Sequence, residues 1–106
     1  IDRTDGSVAH LYDPLHPAVL KLIANTIQSA QRVAMPVAVC GEMAGDPRLT
    51  KLLLGMGLRQ FSMHPSQLLE VKQQVMMSDA AQLAVRVARL LKLDEPERIG
   101  EHLDKL

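Results

Sequence analysis

Cys40 is the sharpest chemical feature of this chain and its only cysteine. It closes an apolar run, Pro36-Val37-Ala38-Val39-Cys40. A loop with two glycines follows, Gly41-Glu42-Met43-Ala44-Gly45-Asp46. If the run is a parallel strand, Cys40 stands at its carboxyl end, where α/β folds gather their ligands. Placement alone leaves two readings open. A free cysteine is commonly a small buried hydrophobe. A thiol at a site is either a nucleophile or a proton donor. The nucleophile needs a lowered pKa and a partner that the sequence does not offer. The donor needs a neutral thiol. An ordinary cysteine, with a pKa of roughly 8.5, is almost wholly protonated at pH 7 and can give its proton to a carbon or oxygen base.

Glu42 and Asp46 flank the same loop. Asp46 stands before Pro47, the pattern of a helix N-cap with proline at the first helical position, which gives it a structural task. Glu42 is open between a loop hydrogen bond and a place in a site. Arg3, in the polar start Asp2-Arg3-Thr4-Asp5-Gly6-Ser7, is either a solvated surface group or a fork for a phosphate. The histidines His10, His16, His64 and His102 are scattered and none forms an i,i+4 ligand pair, so no metal site is expected from this chain. Met43, Met56, Met63, Met76 and Met77 read as core filler. Arg86, Arg89 and Lys92 read as a solvated helix face.

Composition narrows the function classes. Twelve Lys plus Arg balance twelve Asp plus Glu, so the electrostatic footprint of a nucleic-acid binder is missing. Tyr12 and Phe61 are the only aromatics, too few for base-stacking platforms. A lone cysteine excludes an intrachain disulfide and a cysteine-based zinc site. The apolar run Val33–Cys40, interrupted by Pro36, is far short of the roughly 20 residues a membrane helix needs. The expectation is a soluble chain of one domain, since 106 residues are too few for two. A start at Ile1 rather than methionine reads as a piece of something longer.

Several elements must position these residues. His16, before Pro17, should stay extended, with a helix beginning at Pro17 and running to about Arg32. Leu20, Ile23, Ile27 and Ala30 mark its apolar face. Pro36–Cys40 lacks alternation, which predicts a strand buried on both faces. Leu49, Leu52, Leu53 and Met56 share the face of the next helix, ended by Gly55 and Gly57. Gln60–Ser62 predicts a second short strand. Pro65 opens a helix with Leu68, Val71 and Val75. Ser78 is the expected N-cap of Asp79–Lys92, striped by Leu83, Val87, Leu90 and Leu91. A last helix from Pro96 carries Ile99, Leu103 and Leu106. Strands separated by a helix imply right-handed parallel βαβ geometry. Two strands complete neither a doubly wound sheet nor a barrel, so the chain reads as the tail of a larger α/β unit.

The motifs carry a resemblance. Cys40-Gly41-Glu42-Met43-Ala44-Gly45-Asp46, Leu52-Leu53-Leu54-Gly55-Met56-Gly57-Leu58 and Phe61-Ser62-Met63, with Asp2-Arg3 and His10-Leu11-Tyr12-x-Pro14-x-x-Pro17 upstream, resemble the enzyme I family of the bacterial phosphoenolpyruvate-dependent sugar phosphotransferase system. The likeness covers nearly the whole chain. It implies an α/β fold, the C-terminal sector of a phosphoenolpyruvate-binding (β/α)8 TIM barrel. Residues 1–106 would supply the sixth helix, the seventh strand and helix, the eighth strand and helix, and a C-terminal extension. Two short parallel strands and about five helices are expected.

The resemblance also implies a function. Phosphoryl moves from phosphoenolpyruvate to a histidine on another domain, then to a histidine-containing carrier protein, in a cytoplasmic homodimer. By that resemblance Cys40 matches the proton donor to the pyruvate enolate, and Arg3 matches a ligand of the substrate phosphate. The family's magnesium ligands, its other phosphate-binding arginines and its phosphorylated histidine would lie before Ile1, so this chain alone should be inactive. Cys-Gly-Glu alone also fits a pyruvate phosphate dikinase relative. A non-catalytic helical dimerisation module with a buried Cys40 is the alternative of a different class.

Overall fold

The computed structural model describes all 106 residues. Six α-helices follow one another: α1 Pro17–Arg32, α2 Glu42–Gly45, α3 Thr50–Gly55, α4 Leu68–Met76, α5 Ala80–Leu90 and α6 Pro96–Leu103. Single 3-10 turns lie at Ala9–Leu11 and Pro65–Gln67. The start of α1 follows from its sequence. His16 is extended before proline, and its Nδ1 accepts the Ala18 N–H at 3.2 Å.

The two expected strands are reduced to one parallel bridge, Val39 to Phe61. Val39 donates its N–H to the Gln60 carbonyl at 3.2 Å, and Ser62 donates to the Val39 carbonyl at 2.9 Å. No longer ladder forms. Pro36 has no N–H to give, and each extended segment has a neighbour on one side only. Burial on both faces is also corrected. Val37 and Val39 are half-buried against the core, whereas Ala38 and Cys40 are exposed, because nothing in this chain covers the second face.

The core joins Leu20, Ala24 and Ile27 of α1 to Leu52 and Leu53 of α3, with Leu49, Met56 and Leu58 beside them, Val87 and Leu90 of α5, and Ile99 of α6. Helix α3 is its centre and packs chiefly on α5. Gly55 permits that approach, since a Cβ there would overlap the Val87 side chain and the Leu83 carbonyl. Its role is therefore close packing, and Gly57 alone supplies the left-handed stop at φ 101°. Gly57 donates to the Leu54 carbonyl and Leu58 to the Leu53 carbonyl, the paired bonds of a Schellman cap.

Three smaller expectations change. Asp79, not Ser78, caps α5, its Oδ1 accepting from Ala81 and Gln82 N–H groups. Ser78 instead donates its hydroxyl to the Gln74 carbonyl. In α4 only Val71 is buried; Leu68 and Val75 are exposed, because its principal helical neighbour is the short α3. Met56 fills the core, but Met76 and Met77, at the end of α4, are exposed. Arg86, Arg89 and Lys92 are exposed, as the pattern predicts.

Candidate functional site

The Val39–Phe61 bridge fixes the backbone one residue before Cys40. Gly41 then turns the chain at φ 77°, ψ −158°, a region that essentially only glycine occupies. Space is not the constraint, since nothing lies within 4 Å of an added Cβ. The turn makes Glu42 the first residue of α2, a one-turn helix within what the sequence reads as a loop. Cys40 thus emerges from the extended segment into solvent and is exposed. Within this chain the thiol is not a core residue.

Arg3 reaches the same place from the polar N-terminal segment. Local turns shape that segment. Asp2 Oδ1 accepts the Thr4 N–H at 2.9 Å and the Thr4 hydroxyl at 2.6 Å, and Asp5 Oδ1 accepts the Ser7 N–H and hydroxyl in the same way. The Thr4 hydroxyl holds the Asp2 carboxyl below the ordinary aspartate pKa, and the Ser7 hydroxyl does so for Asp5. The Arg3 guanidinium lies over the Tyr12 ring, 5.1 Å from its centroid, within cation–π range. Its Nη1 pairs with Glu42 Oε2. Glu42, by hydrogen bond and charge, raises the guanidinium pKa above its ordinary value.

Arg3, Tyr12, Cys40, Glu42 and Met43 line one open cleft of about 450 Å³. The two residues that the sequence selects as site residues, Cys40 and Arg3, therefore face one space although they stand 37 positions apart. Glu42 joins them, whereas Asp46 does not. The Asp46 carboxylate accepts the Arg48 N–H at 2.9 Å and pairs with its guanidinium at 2.7 Å. That pairing pulls its pKa below the ordinary aspartate value. It caps the Pro47–Leu49 turn that leads into α3, while the helix itself begins at Thr50 with Leu49 as its N-cap, so the expected helix start at Pro47 is corrected.

Tyr12 is the participant that residue chemistry did not single out. Its signals are scarcity, as one of two aromatics, and its place in the His10-Leu11-Tyr12-x-Pro14-x-x-Pro17 motif. The histidines stay apart and serve locally. His64 Nδ1 accepts the Ser66 N–H at 3.3 Å, and the His102 ring meets the Arg98 carbonyl at 2.8 Å. No three His, Cys, Asp or Glu side chains gather to hold a metal ion. The one carboxylate beside Cys40 in sequence, Glu42, is engaged with Arg3. These residues by themselves do not fit a magnesium site. No helix is long and apolar enough to cross a membrane.

The arrangement offers a guanidinium for an oxyanion and an accessible thiol that can give a proton nearby. Known proteins resemble the chain in sequence. A family model described as PEP-utilising enzyme, PEP-binding domain, matches residues 1–80. The phosphoenolpyruvate-protein phosphotransferase of Cupriavidus necator is 58% identical over all 106 residues, which are 18% of that protein's length. The phosphotransferase of the same name from Enterococcus faecalis is 40% identical over 91 residues, 86% of this chain and 16% of the relative. That of Buchnera aphidicola is 40% identical over 90 residues, 82% of this chain and 16% of the relative. The chain thus spans less than a fifth of the length of these curated relatives. Arg3, Cys40 and Glu42 all fall inside the family match, and the chain belongs to the PEP-utilising enzymes as part of their PEP-binding domain.

Proposed function

We propose that this chain supplies part of the active site of a phosphoenolpyruvate-protein phosphotransferase, enzyme I of a sugar phosphotransferase system. The observation that carries the reading is the single cleft shared by Arg3 and an exposed Cys40. In the proposed reaction an enzyme histidine attacks phosphorus. The bond from phosphorus to the enol oxygen breaks, and its electrons leave with the enolate of pyruvate. Arg3 binds the phosphoryl oxygens and stabilises their charge. Cys40 then gives its S–H proton to the methylene carbon, yielding pyruvate. Solvent restores the proton to the exposed sulfur.

The fold belongs to the same proposal. Two extended segments paired in parallel through α2 and α3 are the smallest part of a βαβ unit. Beside the first of them, Leu22, Ile23, Val37 and Val39 line a shallow apolar groove of about 200 Å³. Residues 1–106 read best as the C-terminal sector of a (β/α)8 barrel whose other strands extend this edge. Magnesium held by residues outside the chain, a histidine-containing phosphocarrier protein, a homodimer and a cytoplasmic setting complete the reading. Exposed Leu69, Met76 and Met77 support association.

The test is alkylation of Cys40 in the full-length enzyme. Phosphoenolpyruvate should slow the reaction strongly. Alkylation at the same rate with and without saturating substrate would overturn the assignment.

A further inference from the structure

We propose that Glu42 is a positioning residue for Arg3: its carboxylate holds the Nη1 corner of the guanidinium at the cleft, and the Nε–Nη2 edge is left to receive the phosphoryl group beside Cys40. This rests on the reading of Arg3 as a phosphate ligand. The single Nη1–Oε2 contact is the geometric basis. Glu42 occupies one corner of the fork through Nη1 and is its one ion-pair partner, with Tyr12 beside the guanidinium face. A guanidinium grips an oxyanion with two parallel N–H groups, and the Nε–Nη2 edge provides such a pair.

The need for a positioning group follows from where Arg3 sits. Residues 1–7 are all exposed, and their turns close on themselves through Asp2 and Asp5. No buried side chain of that segment anchors Arg3. Beyond the Tyr12 face, Glu42 is the only group that fixes the guanidinium. Glu42 is in turn fixed to the thiol, two residues away through the glycine-specific turn at Gly41. One ion pair therefore sets the phosphate ligand relative to the proton donor. The side chains of the pair are 50% and 66% exposed, so its contribution to folding is minor. Its consequence is orientation, which reaction rates and substrate binding register steeply.

Full-length enzyme I carrying these residues provides the test, with Glu42→Gln, Glu42→Asp, Arg3→Ala and the double variant Glu42→Gln/Arg3→Ala. Glu42→Gln should raise KM for phosphoenolpyruvate about three- to tenfold, with kcat changed about twofold or less. Glu42→Asp, which keeps the charge, should recover part of the loss. Arg3→Ala should raise KM further, and adding Glu42→Gln to it should change nothing more, because the group being positioned is gone. The alkylation rate of Cys40 without substrate should be the same in Glu42→Gln as in the parent. An unchanged or lowered KM in Glu42→Gln overturns the proposal, as does an equal rise in the Arg3→Ala background. A faster Cys40 alkylation also counts against it, since the loop itself has then moved. A normal KM in Arg3→Ala overturns the phosphate role of Arg3 as well, which tells the two failures apart.

Discussion

Val39 and Phe61 form a parallel bridge, the only backbone pairing between the two extended segments of the chain. Both side chains also pack against the buried core. The bridge ties the residue before Cys40 to the leucine-rich centre around α3, so packing at Phe61 should be felt at the thiol. Phe61→Ala should cost about 2 kcal/mol, less than a fully buried phenylalanine because the ring is only half-buried. Denaturant unfolding measures that loss. Alkylation of Cys40 should speed up in the same variant, and an unchanged rate would show that the bridge does not hold the thiol.

Replacing Cys40 separates the two halves of the proposed reaction. In full-length enzyme, Cys40→Ala should still pass phosphoryl from phosphoenolpyruvate to the enzyme histidine in a single turnover. Steady formation of pyruvate should fall by about 10²–10⁴-fold, the usual contribution of a positioned general acid. Rapid-quench measurement of phosphohistidine, beside stereospecific deuterium uptake at the pyruvate methyl, reads both steps. Chirally labelled pyruvate made at the normal rate would remove Cys40 from the mechanism.

The helices were legible because their apolar spacing is regular. Leu20 with Ile27, and Leu83 with Val87 and Leu90, are buried as the three- and four-residue intervals require. The stripe of α4 misled because spacing tells which residues share a face and not whether another element covers it. Leu68 and Val75 share the face of Val71, yet α3 is too short to cover all three. The apolar run Pro36–Cys40 misled likewise, since it reports a burial that this chain alone does not provide. At the site, Cys40 was visible through its place after the run. The pairing of Arg3 with Glu42 was not, because two charges 39 positions apart carry no periodic signal. Their meeting depends on the Gly41 turn and on the path of residues 1–16.

Ala34 is the one non-glycine residue with positive φ, at 52°. It follows the C-cap of α1. Its N–H donates to the Gln31 carbonyl at 3.1 Å and the next, from Met35, to the Ala30 carbonyl at 2.8 Å. This is a Schellman cap with alanine where glycine is the usual residue. An L side chain there carries a steric cost that glycine avoids, offset in part by the greater freedom of glycine in the unfolded chain. Ala34→Gly should stabilise the fold by about 0.5–1 kcal/mol, seen as a higher denaturation midpoint with an unchanged slope. A lower midpoint would mean that the methyl group has a packing role.

Asp46 should give the fold an acid-sensitive joint. The Arg48 guanidinium and N–H hold its carboxyl below the ordinary aspartate value of 3.8. A carboxylate with a depressed pKa in the folded state stabilises fully at pH values above the unfolded pKa. That stabilisation is lost as pH falls through the lower, folded pKa. Stability should therefore drop as pH falls below about 4, in step with protonation of Asp46. Asp46→Asn keeps an oxygen that can accept the Arg48 N–H but abolishes the charge pair. The variant should be less stable than the parent at pH 7, and the gap should narrow steadily towards pH 2. Urea unfolding across pH 2–7 measures both curves. Parallel curves, with a gap that does not change with pH, would show that the Asp46 charge contributes nothing and that its capping hydrogen bond is the whole effect.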